Sequence, residues 1–211
     1  MAKLSSEEKL PLQTSLWETE LRLLRFYENQ GFNLIRKTYM PTVDIQSLND
    51  FEPIQYKEQS KIQLISLKEL TMNSQLRDDL TKITKKTYED THQANPPGDF
   101  ELEKWDKLIH ASDTLMELSF IYLGPSQEIL AFSFLHEAGE STAEIGWLGL
   151  QHNHEADLLI QLVSLQIKQA KEKGYNYITG EFDSTSPYSM LIYRSFSFPE
   201  TISWNTYQKE C

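Results

Sequence analysis

The chain has 211 residues, 39% hydrophobic and 24% charged, with a formal net charge of −11. That length suits one well-buried domain, or one domain plus an appendage, and the composition is that of a folded rather than a disordered chain. The acidic balance argues against nucleic acid and anionic membrane surfaces, and the single cysteine, Cys211, excludes an intrachain disulfide and a cysteine zinc cluster.

The opening MAKLSSEEKLPLQ lacks the apolar core of a signal peptide. No run of about 18 apolar residues occurs, so the expectation is a cytoplasmic protein with no membrane span and no metal. Residues 15–30 place Leu16, Trp17, Leu21, Leu24 and Tyr27 at helical spacing, and Gly31 ends the helix. FNLIRKTYM reads as a strand, and 42–61 as a polar connector or irregular strand. KIQLISLKEL is a strand leading into a turn. Residues 74–92 are helical, with Leu76, Leu80, Ile83 and Tyr88 near one face and Ser74 as N-cap. ELEKWDKLIHA is a second, shorter helix.

MELSFIYLG and EILAFSFLHE form a hairpin about GPSQ, and AEIGWLGL is a third strand in series. A helix runs from about Asp157 to Lys173 and stops at Gly174. NYITGEF is a strand, SPYSMLIYRSF a short helix and ISWNTYQKE the last strand. From residue 62 the order is β-α-α-β-β-β-α-β-α-β.

Two segments resemble each other. FYENQGF (26–32) and IYRSFSF (192–198) share the pattern apolar-Tyr-x-x-x-small-Phe, with Tyr27 and Tyr193 lying 166 residues apart. Each ends a predicted helix and precedes a predicted strand. FYENQGF resembles the final helix of the GNAT superfamily of N-acetyltransferases, and the element order after residue 62 is similar to that fold throughout. The resemblance implies an α/β (α+β) protein. Its central sheet would be mixed and mostly antiparallel, flanked by helices, with an N-terminal partial repeat. Residues 1–60 would be a partial unit holding only a last helix and strands, and 61–211 a complete one.

What the resemblance implies for chemistry follows the family. Acetyl-CoA would be the co-substrate, and a small-molecule or peptide amine the acceptor. Backbone groups of Leu148 and Leu150 would meet the pantetheine arm. The next turn and helix start, His154, Glu155, Ala156, Asp157, Leu158 and Leu159, would meet the diphosphate, since helix starts offer free N–H donors and a positive dipole end.

The family pattern there is Arg/Gln-x-x-Gly-x-Gly/Ala. Placed from Leu150 and Gly174 it falls on His154, Asp157 and Leu159, none of which matches. Slid back to Gln151, His154 and Ala156 it matches at both ends but lengthens the helix. Glu155 and Asp157 also read as simple stabilisers of a helix start, worth roughly 0.3–1 kcal/mol each.

By the same resemblance Tyr193 would protonate the leaving thiolate, and Glu144 would take the amine proton, with Glu137 and His136 as alternatives. Tyr188 is one turn and more away from Tyr193, on a different face. Ser186 falls where many family members carry an Asn near the cofactor; it is also a good N-cap before Pro187. Trp105, Trp147 and Trp204 could line a pocket or fill a core. The glycine-free loop leaves a second reading open, a catalytically inactive GNAT-like binding or assembly module. A homodimer, joined through an exposed sheet edge, is the remaining expectation.

Overall fold

The computed structural model describes residues 11–48, 62–93, 95–151 and 156–210. The elements in chain order are β1 (Leu12–Trp17), α1 (Leu21–Asn29), β2 (Asn33–Tyr39), β3 (Thr42–Asp44), a 3-10 turn (Ile45–Ser47), β4 (Gln63–Ser66) and α2 (Leu67–Leu70). They continue with α3 (Ser74–Thr91), α4 (Leu102–Ile109), β5 (Phe120–Leu123), β6 (Ile129–Glu137), β7 (Thr142–Leu150) and α5 (Ala156–Glu172). The chain closes with β8 (Tyr177–Gly180), β9 (Phe182–Asp183), α6 (Pro187–Ser195) and β10 (Ser203–Lys209).

Six strands form one sheet in the order β3-β8-β7-β6-β5-β4, antiparallel except between β7 and β8. Its middle strand, β6, reads ILAFSFL and is buried on both faces, which is why its apolar run hardly alternates. Leu158, Leu159, Leu162, Val163 and Ile167 of α5 pack on one face. On the other, Leu76 and Leu80 of α3 and Ile109 of α4 meet Phe132 and Phe134. Arg77 makes a two-pronged bond to Asp106, with both contacts at 2.6 Å, and so ties α3 to α4.

The other four strands form a second sheet, β1-β10-β2-β9, antiparallel throughout. The chain passes between the sheets at Glu181, which separates β8 from β9. Alongside, β2 and β3 run antiparallel to β9 and β8, so the N-terminal segment bridges the same break.

The mixed, mostly antiparallel architecture is as expected, and four local expectations need correction. Residues 15–17 are strand, not helix: Ser15, Leu16 and Trp17 pair with Thr206, Asn205 and Trp204. A strand partner nearly the whole chain away outweighs an apolar spacing that also fits a helix. The N-cap of α3 is Asn73, whose side chain accepts from the Leu76 N–H at 3.2 Å, not Ser74. β5 starts at Phe120, because the preceding residues turn and Ser119 Oγ bonds back to the Leu115 carbonyl. NYITGEF is two short strands broken at Glu181. Within 1–60, residues 1–10 and 49–60 lie outside the described residues.

Candidate active site

β7 and β8 run parallel from Thr142↔Tyr177 to Ile145↔Gly180 and pair no further. Where they part, β7 also carries a bulge: Ser133 faces Leu148 but Leu135 faces Ile145, so Gly146 and Trp147 oppose one residue of β6. Beyond the bulge the Gln151 N–H donates to the Leu130 carbonyl at 2.9 Å. By the alternation of an antiparallel ladder, Gly149 and Gln151 then face β6, while the backbone groups of Leu148 and Leu150 face the gap left by β8. The Leu150 carbonyl accepts from the Tyr188 hydroxyl of α6 at 3.4 Å.

A cleft of about 400 Å³ opens beside this gap, under α3. Thr84, Thr87, Tyr88, Thr91 and His92 line one wall, and Glu144–Leu148, His136, Glu181 and Asp183 line another. Asp113, Ser186 and Ser189 also reach it. Tyr88 and Trp147 give the cleft its aromatic wall and Trp105 packs against both, with ring centroids 5.3–5.8 Å from one another.

Three groups give the cleft its electrostatics. The Glu144 carboxylate makes no hydrogen bond or ion pair among the described residues; burial, then Glu181 and Asp113, pushes its pKa above the ordinary value. Its cross-strand neighbour His136 is pushed down by burial against a smaller opposing pull from Asp113, whose carboxylate lies 3.8 Å from Nδ1. The His136 ring lies where Gly146 leaves room: a Cβ there would meet its Nε2 at 2.4 Å. Bulge, glycine and histidine therefore form one local design.

Asp183 is the third group. It accepts from Thr38 Oγ1 and lies 3.5 Å from Arg36, both on β2, and 3.3 Å from His92 Nε2 at the end of α3. Burial alone would raise its pKa, but the bonds from His92 and Thr38 and the Arg36 and His92 charges win and hold it low. His92 Nδ1 also faces the Tyr88 carbonyl at 2.9 Å, and its ring stacks on Tyr88 at 3.8 Å. The N-terminal segment thus fixes a wall of the cleft.

Of the sequence-predicted site residues, Glu144, Leu148 and Ser186 meet at this cleft. Ser186 also caps α6, accepting from the Ser189 N–H at 3.2 Å. Leu150 is one step along the gap. Ala156, Asp157, Leu158 and Leu159 form the first turn of α5, where the two leucine side chains are core, leaving only backbone to meet a ligand. His154 and Glu155 lie outside the described residues.

Tyr193 does not line the cleft. Its ring stacks on Tyr39 at 5.2 Å and packs on Phe182, and its hydroxyl donates to the Pro199 carbonyl at 3.3 Å. Sequence reasoning missed Thr84, Tyr88, His92, Asp113, Glu181 and Asp183. A signal existed for α3: Thr84, Thr87, Tyr88 and Thr91 mark a polar stripe on one helix face.

No family model and no curated protein matches the sequence. Solved structures do match the fold. A GCN5-related N-acetyltransferase from Sphaerobacter thermophilus is 14% identical at a TM-score of 0.63 over 97% of this chain and 62% of its own. The chain has the GNAT fold. A GCN5-related N-acetyltransferase from Kribbella flavida shares this GNAT architecture at 13% identity and a TM-score of 0.55, over 94% of this chain and 68% of that one. So does a tandem GNAT protein from the clavulanic acid biosynthesis pathway, at 9% identity and a TM-score of 0.54, over 95% of this chain and 64% of that protein. The chain therefore spans under two thirds of the length of the first and third of these GNAT structures.

Proposed function

We propose that the protein is an N-acetyltransferase that uses acetyl-CoA and an amine acceptor. The observation that carries this reading is the parting of β7 from β8 beside a half-buried, unpartnered Glu144. The Leu148 backbone, facing the gap, and the first N–H groups of α5 suit the amide-rich arm and diphosphate of acetyl-CoA, which would supply an activated thioester.

In this reading Glu144 takes a proton from the attacking amine, and its raised pKa suits that work near neutral pH. His136, held neutral by burial, is placed to relay the proton. Backbone N–H groups at the β7 gap hold the developing oxyanion. The departing thiolate needs a proton. Tyr188, whose hydroxyl already sits at Leu150, is better placed to give it than Tyr193, which is engaged at Pro199.

We further read β1-α1-β2 as the closing segment of a second GNAT-like unit. The matching helix ends at Tyr27–Phe32 and Tyr193–Phe198, and the likeness to a tandem GNAT protein, support this.

Calorimetric titration with acetyl-CoA tests the function. Absence of heat at millimolar ligand refutes it and leaves the inactive binding module. If binding is seen, Glu144→Gln lowers turnover about 10²-fold or more with little change in acetyl-CoA affinity. Tyr188→Phe and Tyr193→Phe then decide between the two tyrosines; unaltered turnover in either removes that residue from the mechanism.

A further inference from the structure

We infer that the acceptor this cleft takes is an organic dication, a diamine whose second ammonium group is held apart from the one that reacts. The inference rests on the acetyltransferase reading for its chemistry, but on separate observations for its ligand.

The cleft holds four carboxylates, Asp113, Glu144, Glu181 and Asp183. Only Asp183 is compensated, by Arg36 and His92. The Glu144 and Glu181 carboxylates have no ion-pair or hydrogen-bond partner among the described residues, and Glu181 and Asp113 lie near enough to Glu144 to add to the rise in its pKa that burial causes. His136, lowered by burial, does not offset them at neutral pH. The local field therefore favours positive charge, and the net charge of −11 extends it outward.

A metal ion is the first cation to test. Among the described residues no three His, Cys, Asp or Glu side chains converge as a metal would require. Without such a convergence the cleft's carboxylates suit ammonium groups joined by a chain of methylenes better than a single bare ion.

Two further features fit that chain. Tyr88 and Trp147 offer aromatic faces to alkyl and ammonium groups. Thr84 lines the same cleft, is 1% exposed, and has a hydroxyl oxygen with no hydrogen-bond partner among the described residues. A buried hydroxyl with free lone pairs is costly unless a donor reaches it, and an ammonium N–H is such a donor.

The reacting end is then the amine at Glu144. It enters as an ammonium, gives one proton to that carboxylate and forms the C–N bond to the acetyl carbonyl as the C–S bond breaks; the nitrogen's second proton replaces the one that Tyr188 hands to the departing thiolate, leaving an N-acetyl amide and a free thiol. The distal ammonium keeps its proton at Glu181 and Asp113.

The test compares 1,4-diaminobutane with butylamine, first by calorimetric binding and then by thiol release from acetyl-CoA. The diamine is expected to bind about fivefold tighter or more, the preference shrinking as salt is raised. Glu181→Gln, at an exposed position, should cut the diamine-to-butylamine ratio toward one; Thr84→Val should weaken both amines. Equal affinity for the two amines, or a ratio untouched by Glu181→Gln, overturns the inference. Diamine preference in binding with no thiol release from any amine refutes the acetyltransferase reading while this one stands. Thiol release with butylamine as efficient as with the diamine does the reverse.

Discussion

The two β-α-β units, β1-α1-β2 and β9-α6-β10, end their helices in the same way. In each, the aromatic residue after the helix sends its N–H back five residues to a tyrosine carbonyl: Phe32 to Tyr27 at 3.1 Å and Phe198 to Tyr193 at 3.3 Å. In each, the residue before it is left-handed, Gly31 at φ 84° and Ser197 at φ 50°. This is the Schellman arrangement, and the Tyr–Phe contact that accompanies it explains the shared sequence pattern without any catalytic role. Their surroundings differ. Phe198 is 6% exposed, packed on Phe182, and α6 lies against α5. In α1 only Leu24 is buried, and Phe26 is 56% exposed. The same local code therefore makes the same reversal whether or not a neighbouring helix covers it. Burial is decided elsewhere in the chain.

That contrast can be broken by mutation. Phe198→Ala should cost about 3–5 kcal/mol, and Phe32→Ala less than half as much, read as urea midpoints at constant slope. Equal losses would mean that the two units are equivalent after all.

Next in size is the joint where the units meet. Asp183→Asn keeps an acceptor for Thr38 but removes the negative charge and the second oxygen that Arg36 and His92 face, and should cost about 2–3 kcal/mol. Because the folded pKa of Asp183 is depressed, its contribution is fully present above the ordinary aspartate range. It is lost as pH falls through the lower, folded value, so wild type and variant should converge in acid. A constant difference down to low pH would deny the ion pair its part.

The left-handed positions give a smaller pair of effects with opposite signs. Gly31→Ala should lose about 1 kcal/mol, and Ser197→Gly should gain up to about that much, since only glycine adopts this backbone freely. Two changes of the same sign would show that the caps differ.

The smallest effect lies at Glu144. Its folded pKa is raised, so ionising it opposes folding, and wild type loses stability as pH rises through that value. Glu144→Gln should therefore melt higher than wild type at pH 8, with the gap closing at pH 4. Melting curves that stay parallel would mean that Glu144 feels neither burial nor its acidic neighbours.

Much of the scaffold was legible from one sequence, because its signals are local. The apolar run of β6, the period of α5 and the stop at Gly174 each lie within one element. β1 was misread because Leu16 and Trp17 fit a helix equally well, and only β10 decides the matter. Glu144 and Leu148 are singled out by the family resemblance once β7 is recognised as a strand. The Asp183 cluster is not, since Arg36, His92 and Asp183 sit on three elements joined only by the exchange of strands. At Tyr193 the shared local pattern has a physical cause of its own, the helix cap closed by the Phe198 N–H.

That exchange has a consequence for how the molecule is made. Among the described residues β1 has a single strand neighbour, β10, and their register joins Leu12 to Lys209. β2 depends on β10 and on the two-residue β9. During synthesis from the N-terminus, the first two strands emerge almost 170 residues before the strand that closes their sheet. Such long-range closure is slow and leaves unpaired edges exposed meanwhile. Loss of β10 would leave β1 with no strand partner among the described residues, so Ser203–Lys209 secures Leu12–Trp17.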